Sequence, residues 1–314
     1  MRIVFMGTPE FAVPSLRKLT ESPHDIVGVV TQPDRPKGRG LSVAASALKR
    51  EAERLHIPIY QPEDLSHPEF LASLNAWRGD CFVVVGFRIL PAEVFEMPEK
   101  GTVNLHASLL PKYRGAAPIQ WALIRGEKKT GVTTFFIDQK VDTGDLILQD
   151  ELSIGSEETA GELHDRLAVL GADLIVRTMD LVEQGRAERI PQKGIPTRAP
   201  KILPEHCEIL WNNNAEDIVN LIRGLSPIPG AFTFWEGKRL KIFHASAADR
   251  SMNRPSSPGR VVDTSEERLI VETDDGAVSI QEIQIEGKRR MKIGEFLRGY
   301  GMRRSAVLGI TEEK

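Results

Sequence analysis

The pattern of apolar residues changes part-way along the chain, and this change is the strongest constraint on the fold. In the first part, runs that are apolar over their whole length alternate with helical patterns; the runs are RIVFM (2–6), DIVGVV (25–30), CFVVVGF (81–87) and GTVNLH (101–106). Strands of this kind are buried on both faces, which requires a mostly parallel sheet covered by helices on each side. The first part of the chain therefore predicts an α/β, doubly wound domain, with helices near 10–21, 43–55, 68–78 and 116–126.

The pattern of apolar residues is different in the second part of the chain. A long amphipathic pattern at 159–185 ends in glycine, and the Pro-rich segment 187–206 carries several Lys and Arg residues, which is typical of an extended, positively charged linker. One helical pattern at 215–225 precedes short strands, two of which are joined by the hairpin signal TDDGA. Short strands without helices between them predict a small antiparallel barrel. We place the domain limits at 1–188, 189–205 (linker) and 206–314.

Composition excludes several classes of protein. The 314 residues suffice for two domains, and the hydrophobic fraction of 41% with a charged fraction of 27% is typical of a globular protein. No run approaches the ~18 apolar residues of a membrane span, and the chain starts directly with a strand-like run rather than a secretory leader. The net charge of −3 gives no overall basic field, so nucleic acid would have to bind local patches. We expect a cytoplasmic protein without a membrane segment.

The two cysteines are too few for a disulfide framework or a four-cysteine metal site. Cys81 opens an apolar run and is predicted to be a buried thiol. Cys207 follows His206, but no second pair of metal-ligand residues accompanies them. The sequence therefore predicts no metal site.

Asn104 and His106 stand two positions apart in the run GTVNLH, so on a strand their side chains project from the same face. Ligands of open α/β sheets bind at the carboxyl ends of strands, which is where this pair falls. An asparagine amide donates N–H groups, and histidine takes up and releases a proton near neutral pH. Two donors aimed at one point form an oxyanion site. On spacing alone, a structural role for two polar residues at a strand end stays open.

The next segment, SLLPKYRGAAPIQ, has the features of a stiff loop beside a ligand. Pro111 restricts the backbone, Gly115 allows close backbone approach, and Leu109 with Leu110 offers an apolar wall. The alternative is a core-facing turn that leads into the helix near 116–126.

Asp142, in the motif VDTG, is a candidate partner for His106. A carboxylate in that loop would orient the imidazole and favour its protonated form, which faces developing negative charge. The alternative is an Asx-turn aspartate followed by Gly144. Asp138 and Asp145 are competing carboxylates, which we assign to the turn and the surface.

Several common catalytic motifs are absent from the sequence. MGTPEF does not fit the G-x-G-x-x-G dinucleotide fingerprint, and there is no P-loop, no G-x-S-x-G elbow and no cysteine nucleophile beside a base.

The segment TQPDRPKGRG (31–40) carries Arg35, Lys37 and Arg39 between prolines and glycines. It predicts either a cationic finger suited to phosphates or a solvated surface loop.

The motifs GTPEFA, TQPDRPKGRG, VNLHASLLPKYRGAAPIQWAL and VDTGD occur in this order, and with them the sequence resembles the methionyl-tRNA formyltransferases over essentially its whole length. The resemblance implies a Rossmann-like formyltransferase domain followed by a small OB-like β-barrel domain that binds tRNA. It also implies formyl transfer from 10-formyltetrahydrofolate to the α-amino group of methionine on initiator tRNA, without a metal. The implied partner is initiator methionyl-tRNA, and we expect a monomer.

The resemblance also assigns roles to residues. The family's catalytic residues fall on Asn104, His106 and Asp142, and its folate-contacting segment falls on Ser108, Leu109, Leu110 and Pro111. Its basic loop, which reaches toward the acceptor stem, falls on residues 33–40, with Arg39 as the expected tRNA contact.

One departure from the family pattern lies in VGFRILP (85–91), where many members carry Ala-Tyr-Gly or Ala-Phe-Gly. Phe87 stands at the usual glycine and is followed by Arg88, which changes the expected shape of the pterin pocket but not the reaction. The remaining alternatives are a formyltransferase of a small amine, a non-catalytic folate- or RNA-binding module, and a hydrolase of formyl-folate.

Overall fold

A computed structural model describes residues 1–37, 42–248, 257–265 and 267–309. The chain forms two compact units. The first contains Met1–Pro118, Lys129–Ser153 and His164–Ala199, and the second contains Ile119–Lys128, Ile154–Leu163 and Pro200–Lys314. The limits 1–188, 189–205 and 206–314 stay a prediction.

The first unit is built on a sheet with the strand order β5-β2-β1-β6-β7-β8-β9. Neighbouring strands are parallel from β5 to β7, and β8 and β9 add antiparallel pairs. The strands are β1 (Arg2–Gly7), β2 (Asp25–Val30), β5 (Ile59–Tyr60), β6 (Cys81–Val85), β7 (Thr102–His106), β8 (Lys129–Phe136) and β9 (Leu146–Ser153). A separate two-stranded pair, β3 (Arg35–Lys37) and β4 (Ser42–Ala44), flanks residues 38–41.

The strand order places a topological switch between β1 and β6. From β1 the chain proceeds outward to β2 and β5, and it then returns to the other side of β1 to form β6 and β7. The carboxyl ends of strands at such a switch leave a crevice in which α/β proteins bind ligands. The predicted doubly wound, Rossmann-like domain is therefore confirmed, and Asn104 and His106 lie at the matching end of the sheet.

The helices that belong wholly or partly to this unit are α1 (Ala12–Thr20), α2 (Ala47–Arg54), α3 (Pro68–Trp77), α4 (Ala92–Phe95), α5 (Pro118–Ile124) and α6 (Ala160–Glu183). Helix α2 begins later than the predicted residue 43. The Ser46 side chain accepts a hydrogen bond from the Lys49 backbone N–H and caps the helix, while Ser42–Ala44 is taken up by β4. Pairing of residues 42–44 with β3 thus overrides the helical pattern at its start.

The continuous apolar runs are buried as predicted. Ile3, Val4, Phe5 and Met6 of β1 are completely buried, as expected for a central strand of a sheet that is covered on both faces. Cys81 of β6 is also completely buried, and burial raises the pKa of its thiol to about 12. This cysteine is therefore a core residue and not a nucleophile.

Glu51 of α2 joins α2 to α1 through charge-assisted hydrogen bonds. Its carboxylate accepts two bonds from Arg17, at 2.7 and 2.8 Å, and two from Arg54, at 2.6 and 3.1 Å, and its side chain is only 6% exposed. The hydrogen bonds from Arg17 and then from Arg54 lower the pKa of Glu51 from 4.5 to about 2. The ionised carboxylate thus stabilises the folded state at neutral pH.

We expect Glu51→Gln to lower the free energy of unfolding by about 2 kcal/mol at pH 7, less than the full pKa shift implies because both arginines are half-exposed. Because the folded-state pKa is depressed, the contribution is complete above the unfolded value of 4.5 and is lost as pH falls toward about 2. Urea unfolding at pH 7 and pH 3 measures the change, with exposed Glu53→Gln as control. An equal difference at both pH values would contradict the assignment.

The second unit holds an antiparallel, curled sheet with the order β10-β11-β14-β13-β12, in which β15 also pairs with β14. Its strands are β10 (Ala231–Trp235), β11 (Lys238–Ala248), β12 (Val261–Asp263), β13 (Leu269–Glu272), β14 (Ala277–Ile285) and β15 (Met291–Lys292). The predicted TDDGA hairpin is confirmed between β13 and β14, where the Thr273 N–H donates to the Gly276 carbonyl. The small all-antiparallel domain expected here is likewise confirmed.

Two helices complete this unit, α7 (Ala215–Leu225) and α8 (Ile293–Tyr300). Asn214 caps α7 by accepting a 2.7 Å hydrogen bond from the Asp217 N–H. Helix α8 was not predicted, although Phe296 on it is fully buried in the unit's core. None of the helices in the described ranges is long and apolar enough to cross a membrane.

Candidate active site

The site is built on the carboxyl-terminal half of β7. Asn104 pairs with Phe135 of β8, and His106 pairs with Thr133. Because the two residues are two apart on one strand, their side chains share a face, as predicted. Asn104 is half-buried, and its amide has no hydrogen-bond partner in the described part of the chain, whereas His106 is 7% exposed. The Asn104 amide is therefore the group at this strand end that is available to a ligand.

The imidazole of His106 is held between two oxygen atoms. Its Nε2 lies 2.9 Å from the carbonyl oxygen of Tyr113, and its Nδ1 lies 3.8 Å from Oδ2 of Asp142. A carbonyl oxygen can only accept a hydrogen bond, so Nε2 must carry the proton in that contact. The ring orientation is thereby fixed, and Nδ1 faces the carboxylate.

Asp142 reaches the site from the loop between β8 and β9. Its Oδ2 accepts a 2.8 Å hydrogen bond from the Gly115 N–H, and its side chain is 12% exposed. The backbone of Asp142 is left-handed, with φ of +56°, a conformation that a non-glycine residue keeps only when its surroundings hold it. The carboxylate thus joins the β8–β9 loop to the loop that follows β7.

The alternative interpretation places an Asx-turn at Asp142, but the structure has this turn at Asp138. Asp138 accepts hydrogen bonds from the Lys140 N–H at 3.0 Å and from the Thr143 hydroxyl at 2.7 Å. This is the local pattern of an Asx-turn, in which the side chain bonds to backbone two residues ahead. Asp138 is therefore the turn residue of this loop, and the Asp142 side chain points to a partner that is distant in sequence.

Two glycines allow the loops to approach closely. A Cβ at Gly144 would lie 1.7 Å from the Phe136 carbonyl oxygen, so only glycine fits beside the end of β8. Gly115 has φ of +124°, and a Cβ there would lie 2.5 Å from the Ala199 carbonyl oxygen. The predicted close approach at Gly115 is thus made by the protein's own backbone.

The SLLP segment is fixed to β8 by hydrogen bonds that the sequence did not reveal. The Thr133 hydroxyl donates to the Ser108 carbonyl at 2.5 Å and accepts from the Leu110 N–H at 3.2 Å. The Gln149 amide of β9 donates to the Leu110 carbonyl at 2.9 Å and to the Thr133 hydroxyl at the same distance. A rigid loop therefore extends from His106 along the edge of the site.

The side chains of this loop differ in exposure. Ser108 is completely buried and donates its hydroxyl to the Lys112 carbonyl at 2.6 Å, and Leu110 is 3% exposed. Leu109 and Pro111 are half-buried. A ligand beside this loop would therefore meet Leu109, Pro111 and the backbone, while the Ser108 and Leu110 side chains face the protein interior.

The segment that departs from the family pattern follows β6. Gly86, with φ of +60°, makes the turn, and Phe87 packs against the apolar core. The Arg88 guanidinium donates to the carbonyls of Pro62 and Glu63, at 2.6 and 2.9 Å. Burial, and then the charge of Arg35, lowers the pKa of Arg88. The family pattern has its glycine at position 87, whereas the glycine that makes this turn here is Gly86, one position earlier.

The other residues singled out in the sequence lie elsewhere. Arg39 falls within residues 38–41, outside the described residues, and the preceding Asp34 is tied to Lys49 by a 2.5 Å ion pair. His206 accepts the Leu203 N–H through Nδ1 at 3.0 Å, and Cys207 is buried. Within the described ranges, no group of three His, Cys, Asp or Glu residues is placed to hold a metal ion.

Comparison with known proteins gives a consistent result over both units. Residues 1–179 match the model of the formyl transferase family, and residues 201–301 match that of the formyl transferase C-terminal domain. The methionyl-tRNA formyltransferase of Pelotomaculum thermopropionicum is 48% identical over 98% of this chain and 99% of its own length. That of Desulforamulus reducens is 46% identical over 98% of each chain.

The chain belongs to the methionyl-tRNA formyltransferase family. The family resemblance drawn from the motifs is thus confirmed, and this family member is an enzyme of the formyl-transferring class. Among solved structures, HypX from Aquifex aeolicus in complex with tetrahydrofolic acid has the same fold, with a TM-score of 0.65 at 20% identity. That alignment covers 95% of this chain and 48% of HypX, so the chain spans about half the length of HypX.

Proposed function

We propose that this family member transfers the formyl group of 10-formyltetrahydrofolate to the α-amino group of methionine on initiator tRNA, giving N-formylmethionyl-tRNA for translation initiation. The family match supports the reaction. The observation that carries the chemistry is the convergence of Asn104, His106 and Asp142, with Asp142 Oδ2 lying 3.8 Å from His106 Nδ1. Two residues of strand β7 and one of the β8–β9 loop thus lie at the end of the sheet where α/β proteins bind ligands.

The reaction needs a site for negative charge rather than a nucleophile of the protein. The formyl carbon is an amide-like carbonyl, and the neutral amine attacks it directly. The amide N–H of Asn104 donates to the oxyanion that develops on the carbonyl oxygen. Because His106 Nε2 is engaged by the Tyr113 carbonyl and Nδ1 faces Asp142, the protonated ring stabilises the oxyanion through its positive charge. Asp142 keeps the imidazole oriented, and it, or a water it holds, takes the proton that the amine releases. The bond between the formyl carbon and the folate nitrogen then breaks, and that nitrogen takes up the proton, which leaves tetrahydrofolate.

The folate donor fits the rigid loop at Ser108–Pro111. Half-buried Leu109 and Pro111 offer an apolar edge for a flat ring, while buried Ser108 and Leu110 hold the loop in place through their hydrogen bonds to Thr133 and Gln149. Ile89, which follows the neighbouring strand β6, is 78% exposed and adds apolar surface at the same end of the sheet. Apolar walls with a few fixed polar groups are typical of small-molecule sites.

For tRNA, we propose Arg39 as the contact from the basic loop, and exposed cations of the second unit as a salt-dependent contribution that does not read sequence. Those cations are Lys288, Arg289, Arg290, Arg303 and Arg304. Arg289 pairs with Glu295 and Arg290 pairs with Glu282, so part of this positive charge is offset within the unit. We place the enzyme in the cytoplasm, in keeping with an aminoacylated tRNA as its substrate. We also propose that it is a monomer.

Incubation with 10-formyltetrahydrofolate and methionyl-tRNA tests the proposal, with initiator and elongator tRNA compared. We expect formylation of the initiator and little of the elongator. Release of free formate without tRNA would instead indicate a hydrolase, and formylation of a small amine with no activity on either tRNA would indicate a small-amine formyltransferase. Folate binding without turnover would indicate a non-catalytic module.

A further inference from the structure

The segment 190–199, in the part of the chain predicted to be a linker, forms backbone pairs with two elements of the site. Ile190 and Leu146 of β9 exchange hydrogen bonds at 3.0 and 2.8 Å. At its other end, the Arg114 N–H donates to the Thr197 carbonyl at 2.9 Å, and the Ala199 N–H donates to the Arg114 carbonyl at 2.7 Å. Both the strand after the Asp142 loop and the loop after β7 are thus paired with this segment.

Gln192 lies between these two pairings, and both the oxygen and the nitrogen of its side-chain amide are fully hydrogen-bonded. Its Oε1 accepts from the Arg114 guanidinium, at 2.6 Å from Nη2 and 3.2 Å from Nε. Its Nε2 donates to the carbonyl oxygens of Asp142, at 3.0 Å, and of Gly144, at 2.9 Å. Two acceptor positions and two donor hydrogens are the full capacity of a glutamine amide.

Only an amide satisfies both sides of this arrangement. The guanidinium of Arg114 needs an acceptor, and the carbonyls of Asp142 and Gly144 need a donor. Glutamate would still accept from the guanidinium but would place a negative oxygen against the two carbonyl oxygens. Methionine would replace neither set of hydrogen bonds. The amide therefore fixes the distance between Arg114 and the β8–β9 loop.

We infer that Gln192 is a positioning residue for Asp142, an inference that rests on the catalytic role proposed above for that carboxylate. The left-handed backbone of Asp142 has to be held from outside, and Gln192 binds its carbonyl oxygen. The Asp142 carboxylate binds the Gly115 N–H, next to the Arg114 that Gln192 also holds. Gln192 thus fixes both loops that bring Asp142 to His106.

Two variants test this role, Gln192→Glu and Gln192→Met. We expect each to lower kcat for formyl transfer by about 10–100-fold, while KM for tRNA and for the folate donor stays within about twofold, since a small misplacement affects the reaction more than binding. Circular dichroism and thermal unfolding report folding, and Gln184→Glu, in the exposed turn that follows α6, is the matched control. If Gln192→Met fails to fold, the test rests on the kcat of Gln192→Glu, because this variant keeps the contact with Arg114.

A double-mutant cycle with Asp142→Asn separates positioning from a general structural role. If Gln192 acts through Asp142, Gln192→Glu should reduce kcat little further in the Asp142→Asn background. Radiolabelled formyl donor makes the slow variants measurable. Full additivity, or a normal kcat for the single Gln192 variants, would overturn the inference and leave the proposed function intact. A normal kcat for Asp142→Asn alone would instead overturn the proposed catalytic role.

Discussion

Asn104→Ala should lower kcat for formyl transfer by ~10²–10³, while the affinity for the folate donor changes little. The Asn104 amide is half-buried at the end of β7 and has no hydrogen-bond partner in the described residues, so its removal leaves no orphaned group in the protein. The loss then falls on the transition state, where the oxyanion needs the donor. Single-turnover formylation and direct folate titration measure the two quantities separately.

Asn104→Asp sharpens the test because it keeps the shape of the side chain and replaces the donor by a negative oxygen. We expect it to be at least as slow as the alanine variant. Asn75→Ala, at an exposed position on α3, is the matched control for the loss of an amide. A near-normal turnover of Asn104→Ala would refute the assignment of this residue to the oxyanion site.

Asp142→Asn should lower kcat by ~10²–10⁴, the range expected when a group that assists proton transfer is lost. The asparagine oxygen can still accept the Gly115 N–H, so the loop keeps its main tie. What disappears is the negative charge 3.8 Å from His106 Nδ1, and with it the acceptor for the amine proton. Steady-state kinetics with saturating donor and tRNA isolates this effect on kcat.

Asp138→Asn is the control in the same loop. Asparagine at position 138 retains an oxygen for the Lys140 N–H and removes one negative charge from the loop, so it imitates the charge change without touching the ring of His106. We expect its kcat to stay within about twofold of the unmodified enzyme. Equal losses for the two variants would mean that loop charge, and not contact with His106, determines the rate.

The parts of the fold that follow from local pattern were predictable. Runs such as RIVFM had to be central strands because their residues are apolar on both faces, and Ile3 through Met6 are indeed completely buried. The two-residue spacing of Asn104 and His106 likewise had to place both side chains on one face of β7. Where a local pattern misled, as at the start of α2, pairing of Ser42–Ala44 with β3 was the stronger interaction.

Other features depend on partners that are distant in sequence. Nothing local to Gln192 distinguishes it from a linker residue, because its partners Arg114 and Asp142 lie 78 and 50 residues away. Thr133 and Gln149 support the loop after β7 only because β8 and β9 pair beside that strand. A positively charged, proline-rich composition predicted an extended segment, but composition carries no information about which loops such a segment contacts.

The sequence by itself thus determined the α/β and antiparallel parts of the fold, the shared face of Asn104 and His106, and the family. Each of these depends on the identity and spacing of neighbouring residues. The tertiary structure decided that Asp142 faces His106, that Asp138 makes the turn, and that Ser108 and Leu110 are buried. Those outcomes depend on hydrogen bonds and packing between strands and loops that only the order of the sheet brings together.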